Sequence, residues 1–203
     1  MSYMNVDAVC RIVLIAVYCL FSIIRLEYYR RTRITGQKTV IEERKRYSIW
    51  LSLFICYAVA TFLVFLFFPQ GLAWAAVALN FWLRIFGAII ALLALLWFIW
   101  IHRSLGNNLS THLKIKDSQK LVTGGAYRRI RHPMYSAFFL LHFAVFFLTA
   151  NWFIGLTWIV GITTIILLRI KREEAMLLAK FGGEYREYMN NTGRFVPLLK
   201  RKS

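Results

Sequence analysis

The sequence predicts an all-α, polytopic membrane bundle of five transmembrane helices, the last two forming a tight hairpin. Three observations carry that expectation. The chain has 203 residues and is 59% hydrophobic, with only 17% charged residues, a richer apolar content than ordinary soluble domains have. Its apolar residues gather into runs of roughly the length that crosses a bilayer. Its lysines and arginines fall in alternate connections between those runs, as they do when a chain threads a membrane with a fixed orientation.

The first run spans about Val6 to Leu26. It lacks a basic segment before it and a small-residue cleavage site after it, so it reads as a retained span and not as a cleaved signal. The second runs from about Ser48 to Phe68 and stops at Pro69-Gln70-Gly71, where proline and glycine break helical continuity. The third covers about Phe81 to Ile101, the fourth about Tyr135 to Ala150, and the fifth about Trp152 to Ile170. Only Asn151 separates the last two, which leaves room for nothing but a sharp turn.

Arg30, Arg31, Arg33, Lys38, Arg44, Lys45 and Arg46 lie between the first and second runs. Arg103, Lys114, Lys116, Lys120, Arg128, Arg129 and Arg131 lie between the third and fourth, and a further basic group follows the fifth. The other two connections contain no lysine or arginine. The positive-inside rule therefore predicts an N-terminus outside and a C-terminus in the cytoplasm. That means the inner membrane for a bacterial protein and the endoplasmic reticulum for a eukaryotic one. Arg11 and Arg84 fall near the outer ends of their spans, where long side chains are expected to reach the interface.

The net charge of +17 invites nucleic acid as a partner. The grouping of charge between apolar spans argues against it and favours anionic lipid head groups. Cys10, Cys19 and Cys56 lie within apolar runs and show neither metal-ligand spacing nor a disulfide framework. No metal site is expected. His142, inside the fourth span, reads as a packed or helix-bonded residue.

Chemistry concentrates in two words. The first is Leu121-Val-Thr-Gly-Gly-Ala-Tyr-Arg-Arg-Ile-Arg-His-Pro-Met-Tyr135. Gly124-Gly125 permits a positive φ or a close approach of backbone to a ligand. Pro133 disfavours helix at His132 and is suited to open the next helix. Arg131 or His132 could face an anion there, whereas Arg128 and Arg129 read as lipid-facing loop charges. The second word is Arg169-Ile-Lys-Arg-Glu-Glu174. Arg169 and Glu173 share a helix face at i,i+4, and two adjacent acids in a basic segment ask for a cationic partner. Between Tyr135 and Glu173 the chain, as helix, measures ~57 Å at ~1.5 Å per residue. That is out and back across a hydrocarbon core of about 30 Å, so both words should meet at one membrane face. Phe181-Gly182-Gly183 can end the second word's helix, and Tyr185 and Tyr188 could wall a pocket or sit as interfacial aromatics, the commoner place for such residues. An anion, a cation and a flat ring together describe S-adenosylmethionine. NADPH would use the same basic and aromatic groups, but its phosphates suit two acids poorly.

From about Leu105 to Pro197 the chain resembles the isoprenylcysteine carboxyl methyltransferase and phospholipid methyltransferase superfamily of integral membrane enzymes. The resemblance rests on Leu105-Gly106, Leu121-Val122-Thr123-Gly124, Tyr127, Arg131-His132-Pro133-Met134-Tyr135, Arg169 with Glu173-Glu174, and Phe181-Gly182 followed by Tyr185. Ala126 stands where many relatives have proline. The organisation of the chain itself changes at about residue 102: residues 1–101 hold three N-terminal spans with a basic cytoplasmic loop, and look like the family only in being membrane spans. Residues 102–203 are expected to form a cofactor-binding region, with the hairpin at 135–170 and a cytoplasmic C-terminal helix and tail. The resemblance implies S-adenosylmethionine held by Leu121, Val122, Tyr127, Arg131, His132, Pro133, Met134, Tyr135 and Glu173, with Gln119 and Lys120 contributing main chain. Arg169 would face the acceptor and Glu174 would support the site electrostatically, the two forming the catalytic pair. The implied activity is methyl transfer to a membrane lipid or lipidated acceptor, with carboxyl O-methylation of an isoprenylcysteine-type substrate favoured. The alternatives are phospholipid N-methylation and an NADPH-dependent sterol or lipid reductase.

Overall fold

The computed structural model describes residues 3–34, 45–105 and 120–198. Gln119 and Gly106 lie outside the described residues. Among the described residues five α-helices form the bundle: α1 Tyr3–Ile34, α2 Lys45–Phe67, α3 Phe81–Leu105, α4 Pro133–Thr149 and α5 Trp152–Asn191. Short 3-10 turns at Pro69–Ala75 and Gly125–Arg128 lie in the connections. Four of the helices are long and apolar enough to cross a membrane, and α4 is a shorter apolar helix. The protein is a multi-pass integral membrane protein.

The hairpin between α4 and α5 is as tight as the sequence demands. Ala150 closes α4 in the left-handed conformation, with φ of 46°, and Asn151 then caps α5 by accepting from the Ile154 amide at 3.0 Å. The same Asn151 donates through Nδ2 to the Leu72 carbonyl at 2.9 Å, and the Val77 amide donates to the Ala150 carbonyl at 2.8 Å. The hairpin turn is thereby sewn to the connection between α2 and α3. With 17 residues, α4 is ~26 Å long, slightly short of a ~30 Å hydrocarbon core.

One expectation holds and one is corrected. The glycines do end the helix that carries Glu173: Gly182 is non-helical (φ 52°, ψ −120°), and a second, short helical stretch follows to Asn191 within α5. From Trp152 to Phe181, at ~1.5 Å per residue, the first stretch measures ~45 Å, so its end, carrying Glu173 and Glu174, and the tyrosines after Gly182 project beyond the bilayer. Arg84 does not reach for the interface. It is buried and paired through Nη2 with Asp7 Oδ1, because Asp7 at the start of α1 packs beside the first turn of α3.

Packing follows membrane logic, in which small residues let helices approach and polar groups join them. Ala91, Ala94, Ala137 and Ala144 are fully buried among α1, α3 and α4, around Leu14, Phe98, Ile101 and Val145. Tyr57 donates to Thr157 at 2.6 Å and Trp158 donates to Thr61 at 3.0 Å, which joins α2 to α5. His142 is packed as expected: it is buried, its Nδ1 lies 2.8 Å from the Phe138 carbonyl, and its ring lies beside Trp158. Outward faces are strongly apolar, with Ile89, Leu92, Leu93 and Leu96 of α3 all exposed. A surface of that kind requires lipid as its neighbour.

Gly87 marks the closest approach of α3 to α4, since a Cβ there would stand 2.5 Å from the Phe147 Cβ. Gly87→Ala should therefore push the helices apart and cost about 1–3 kcal/mol, read as a lowered thermal midpoint in detergent. Gly71→Ala, whose added Cβ meets only Val64 at an ordinary 3.7 Å, should leave the midpoint unchanged.

Candidate active site

One buried carboxylate organises the end of the bundle that carries both sequence words. Glu174 accepts from Arg194 Nη2 at 2.5 Å and Nε at 3.1 Å, and from His132 Nε2 at 3.1 Å. Arg131 approaches the same carboxylate at 3.5 Å. The Arg131 guanidinium then bonds the Met189 carbonyl at 2.7 Å and the Thr192 carbonyl. Main chain completes the clamp. Arg131 N donates to Gly193 O at 2.7 Å, His132 N to Arg194 O at 3.0 Å, and Gly193 N to Arg129 O at 3.2 Å. The segment after α5 thus folds back beside the segment that enters α4. Gly193 is required in this pairing, because any Cβ there would overlap the Val196 carbonyl oxygen, 1.7 Å away. Burial by itself would raise the Glu174 carboxyl. Hydrogen bonds from His132 and Arg194, with their charges, outweigh burial and hold it down to about 2.

The cleft lies beside this clamp. It is lined by Lys120, Leu121, Val122, Tyr127, Arg131, His132, Met134, Tyr135, Arg169 and Glu173, all singled out from the sequence, together with Arg25, Leu105, Phe138, Leu177, Phe181, Tyr185 and Tyr188. Tyr135 at the start of α4 donates to Glu173 Oε2 at 2.5 Å. Arg169 Nε stands 3.6 Å from the same oxygen. The two words therefore do meet at one end of the hairpin. His132 stacks on Tyr135 with ring centroids 5.5 Å apart.

Several residues stand differently from expectation. Glu174 does not line the cleft; it is turned into the clamp, where it fixes the loop. Arg131 borders the cleft, but its guanidinium is committed to two carbonyls and Glu174, so it is poorly placed to hold a ligand anion. Pro133 is also absent from the lining; it opens α4, and its carbonyl accepts from Trp97 Nε1 at 3.1 Å. Gly125 has the positive φ that Gly124-Gly125 suggested, 58°. Its backbone closely approaches Ser104, since an added Cβ would lie 2.4 Å from Ser104 Oγ. Of the two readings of Tyr185 and Tyr188, the less common one holds: both wall the cleft. The Tyr188 hydroxyl donates to the Tyr127 carbonyl at 2.6 Å.

Arg25 was missed. It sits near the end of α1, contacts Met134 Sδ at 3.4 Å, and belongs to a helix far from both words in sequence. Nothing local marks it out from any arginine flanking a span.

Electrostatically the cleft mixes one carboxylate facing inward with arginines and protonated phenols. Burial pushes the Tyr127 and Tyr185 hydroxyls up, and the Glu173 and Glu174 charges push them further. Burial likewise raises Tyr188. All three remain donors at neutral pH. The Tyr185 hydroxyl is buried and has no hydrogen-bond partner among the described residues. A buried donor without a partner costs free energy, which a bound acceptor would recover. The cleft encloses about 150 Å³, below the ~300–1,000 Å³ of drug-sized ligand sites.

A family model described as phospholipid methyltransferase matches residues 82–184. Protein-S-isoprenylcysteine O-methyltransferase of Schizosaccharomyces pombe is 33% identical over 79 residues, covering 39% of this chain and 34% of that protein. Methanethiol S-methyltransferase of Pseudomonas deceptionensis is 36% identical over 76 residues, covering 37% of this chain and 28% of that protein. A probable protein-S-isoprenylcysteine O-methyltransferase of Oryza sativa subsp. japonica is 31% identical over 85 residues, covering 42% of this chain and 44% of that protein. The chain thus matches less than half the length of each of these curated relatives. Among solved structures, the eukaryotic intramembrane Ras methyltransferase ICMT has a similar fold. Its TM-score is 0.56 at 23% identity, over 92% of this chain and 68% of that one.

Because the folded state depresses the Glu174 carboxyl, the clamp stabilises the protein fully above the ordinary carboxyl value of 4.5 and loses that contribution as pH falls toward about 2. Glu174→Gln leaves two arginines without their acid and should cost about 3 kcal/mol near neutral pH. The margin of the wild type over this variant, followed by thermal unfolding across a pH series, should shrink as pH drops through that window.

Proposed function

The chain belongs to the phospholipid methyltransferase family, and from that premise we propose that it is a membrane methyltransferase using S-adenosylmethionine. In this reading it methylates a lipid-like acceptor at the cytoplasmic face. The observation that carries the reading is the Tyr135–Glu173 hydrogen bond of 2.5 Å, which joins the basic-aromatic word to the acidic word at the wall of a single cleft. The sense of insertion, N-terminus outside and C-terminus cytoplasmic, is supported by the positive-inside distribution of Lys and Arg.

The donor set suits this cofactor. Glu173 offers the cleft a carboxylate, oriented by Tyr135 and Arg169, against which a cationic ligand group is favoured. Tyr185 offers an unspent hydroxyl, and Tyr127, Phe181 and Tyr188 offer aromatic surface. Leu121 and Val122, with Lys120 and Gln119 before them, would contribute main-chain groups. When bound, S-adenosylmethionine supplies an electrophilic methyl group on a sulfonium.

The protein's own part is alignment and exclusion of water. A carboxylate acceptor is already ionised and needs no general base. Holding nucleophile, methyl and sulfur in line is worth up to ~7–11 kcal/mol in favourable cases. Arg169 from α5 and Arg25 from α1 bring positive charge to the cleft from two helices and would orient the acceptor's anionic group. Glu174, Arg131 and His132 act through position, since their clamp fixes where α4 begins relative to Glu173. Two relatives named for isoprenylcysteine O-methylation and these arginines favour a carboxyl oxygen as acceptor. The family description itself supports a phospholipid amine as the second reading. A reductase gains nothing from these relatives, which are all named methyltransferases.

Glu173→Gln should weaken S-adenosylmethionine binding at least about tenfold, the equivalent of one charge-assisted hydrogen bond, measured by calorimetry in detergent. Arg169→Ala should lower transfer of labelled methyl to a farnesylcysteine acceptor while leaving cofactor affinity within about threefold. A wild-type protein that binds no S-adenosylmethionine, or equal losses of binding and turnover in both variants, contradicts this assignment.

A further inference from the structure

A second cleft opens at the opposite end of the bundle, and its chemistry is unlike the first. It encloses about 920 Å³ between the start of α1, the connection from α2 to α3, the first turn of α3 and the α4–α5 turn. The distance from Arg84 to Leu105 along α3 is ~32 Å at ~1.5 Å per residue, so this cleft and the candidate active site lie on opposite membrane faces.

Its charged groups are Asp7, Arg11 and Arg84. The Arg84 side chain is only 7% exposed, and its bond to Asp7 uses Nη2. The Nε of Arg84 and the Nε of Arg11 are buried with no hydrogen-bond partner among the described residues. Arg11 rests its guanidinium over the Phe65 ring at 5.3 Å. The neighbouring polar side chains are already engaged. Thr149 donates to the Val145 carbonyl, Asn151 bonds Leu72 and Ile154, and Asn80 Oδ1 caps Leu83. The cleft therefore presents donors and one net positive charge. This stands on a face whose connections contain no lysine or arginine. Burying arginine there is costly, and one aspartate answers only one of the two.

We propose that this cleft binds the phosphate of an anionic phospholipid. Trp74, Trp82 and Trp152 are exposed around the same end of the bundle. Tryptophan belts mark the depth of lipid head groups, so the mouth of the cleft stands where a lipid phosphate lies. Its volume far exceeds that of a free phosphate and accommodates the glycerol as well. Phe65, Leu72, Val77 and Phe81 in the wall suit the upper acyl carbons.

The test uses the full-length protein, stripped of lipid in neutral detergent, with retained lipid followed by native mass spectrometry. Phosphatidylglycerol should bind at least about tenfold more tightly than phosphatidylcholine, and Arg11→Gln should abolish most of that preference, one charge-assisted bond being lost. Arg11→Gln leaves the Asp7–Arg84 pair intact, so it decides the matter even if Arg84→Gln fails to fold. Asp7→Asn removes the opposing charge and should retain or tighten binding. Equal affinity for both lipids, or an unchanged preference in Arg11→Gln, overturns the proposal. Inorganic phosphate binding as tightly as phosphatidylglycerol overturns the lipid as occupant.

Discussion

The site end of the molecule depends on a carboxylate taken out of water and surrounded by donors. Glu174 could not be buried alone, because an isolated charge in such a place costs several kcal/mol. Arg194, His132 and Arg131 answer it, from two sides of the clamp. Arg131 and His132 enter from the segment before α4, and Arg194 from the chain returning after α5. The need to keep these groups together fixes three otherwise separate stretches in one geometry. Arg131 extends the arrangement by bonding carbonyls at the end of α5, which also satisfies main-chain acceptors that the helix leaves open.

The adjacent acid has a different task because of helix geometry. Successive residues on a helix point about 100° apart, so a helix face that turns Glu174 into the clamp turns Glu173 elsewhere, toward Tyr135 and the cleft. One Glu-Glu pair thus supplies both a structural anchor and a ligand-facing carboxylate. Distance along α5 matters too. The helix must outrun the bilayer to bring Tyr185 and Tyr188 over the loop at Tyr127, and its end at Gly182 lets a second, short helical stretch set off at a kink.

Tight helix contacts keep this end in register with the rest. Lipid gives helices little hydrophobic reason to associate, so α3 and α4 rely on close approach at Gly87 and on alanines. Trp97 bonding the Pro133 carbonyl ties α3 to the very start of α4. The far end is tied by Asn151 to Leu72. The hairpin is thus pinned at both ends, and the two ends differ in charge: Glu173 faces one cleft, and Arg11 stands beside the Asp7–Arg84 pair at the other.

Sequence by itself determined what depends on neighbours along the chain. Run lengths fixed the helices, Asn151 fixed the sharp hairpin, and helix rise brought Tyr135 and Glu173 to the same face, because these follow from periodicity and bilayer thickness. Most of the lining of the cleft was legible for the same reason, since it clusters in two words. Tertiary structure alone decided which charges point where. Arg131 turned to main chain, Glu174 to the clamp, Tyr185 inward and Arg84 to Asp7, while Arg25 arrived from a helix remote in sequence. Those outcomes depend on which donor reaches which acceptor across long stretches of chain, 43 positions between Arg131 and Glu174 and 109 between Arg25 and Met134. Burial then favours each such pairing, because a charge taken out of water without a partner is costly.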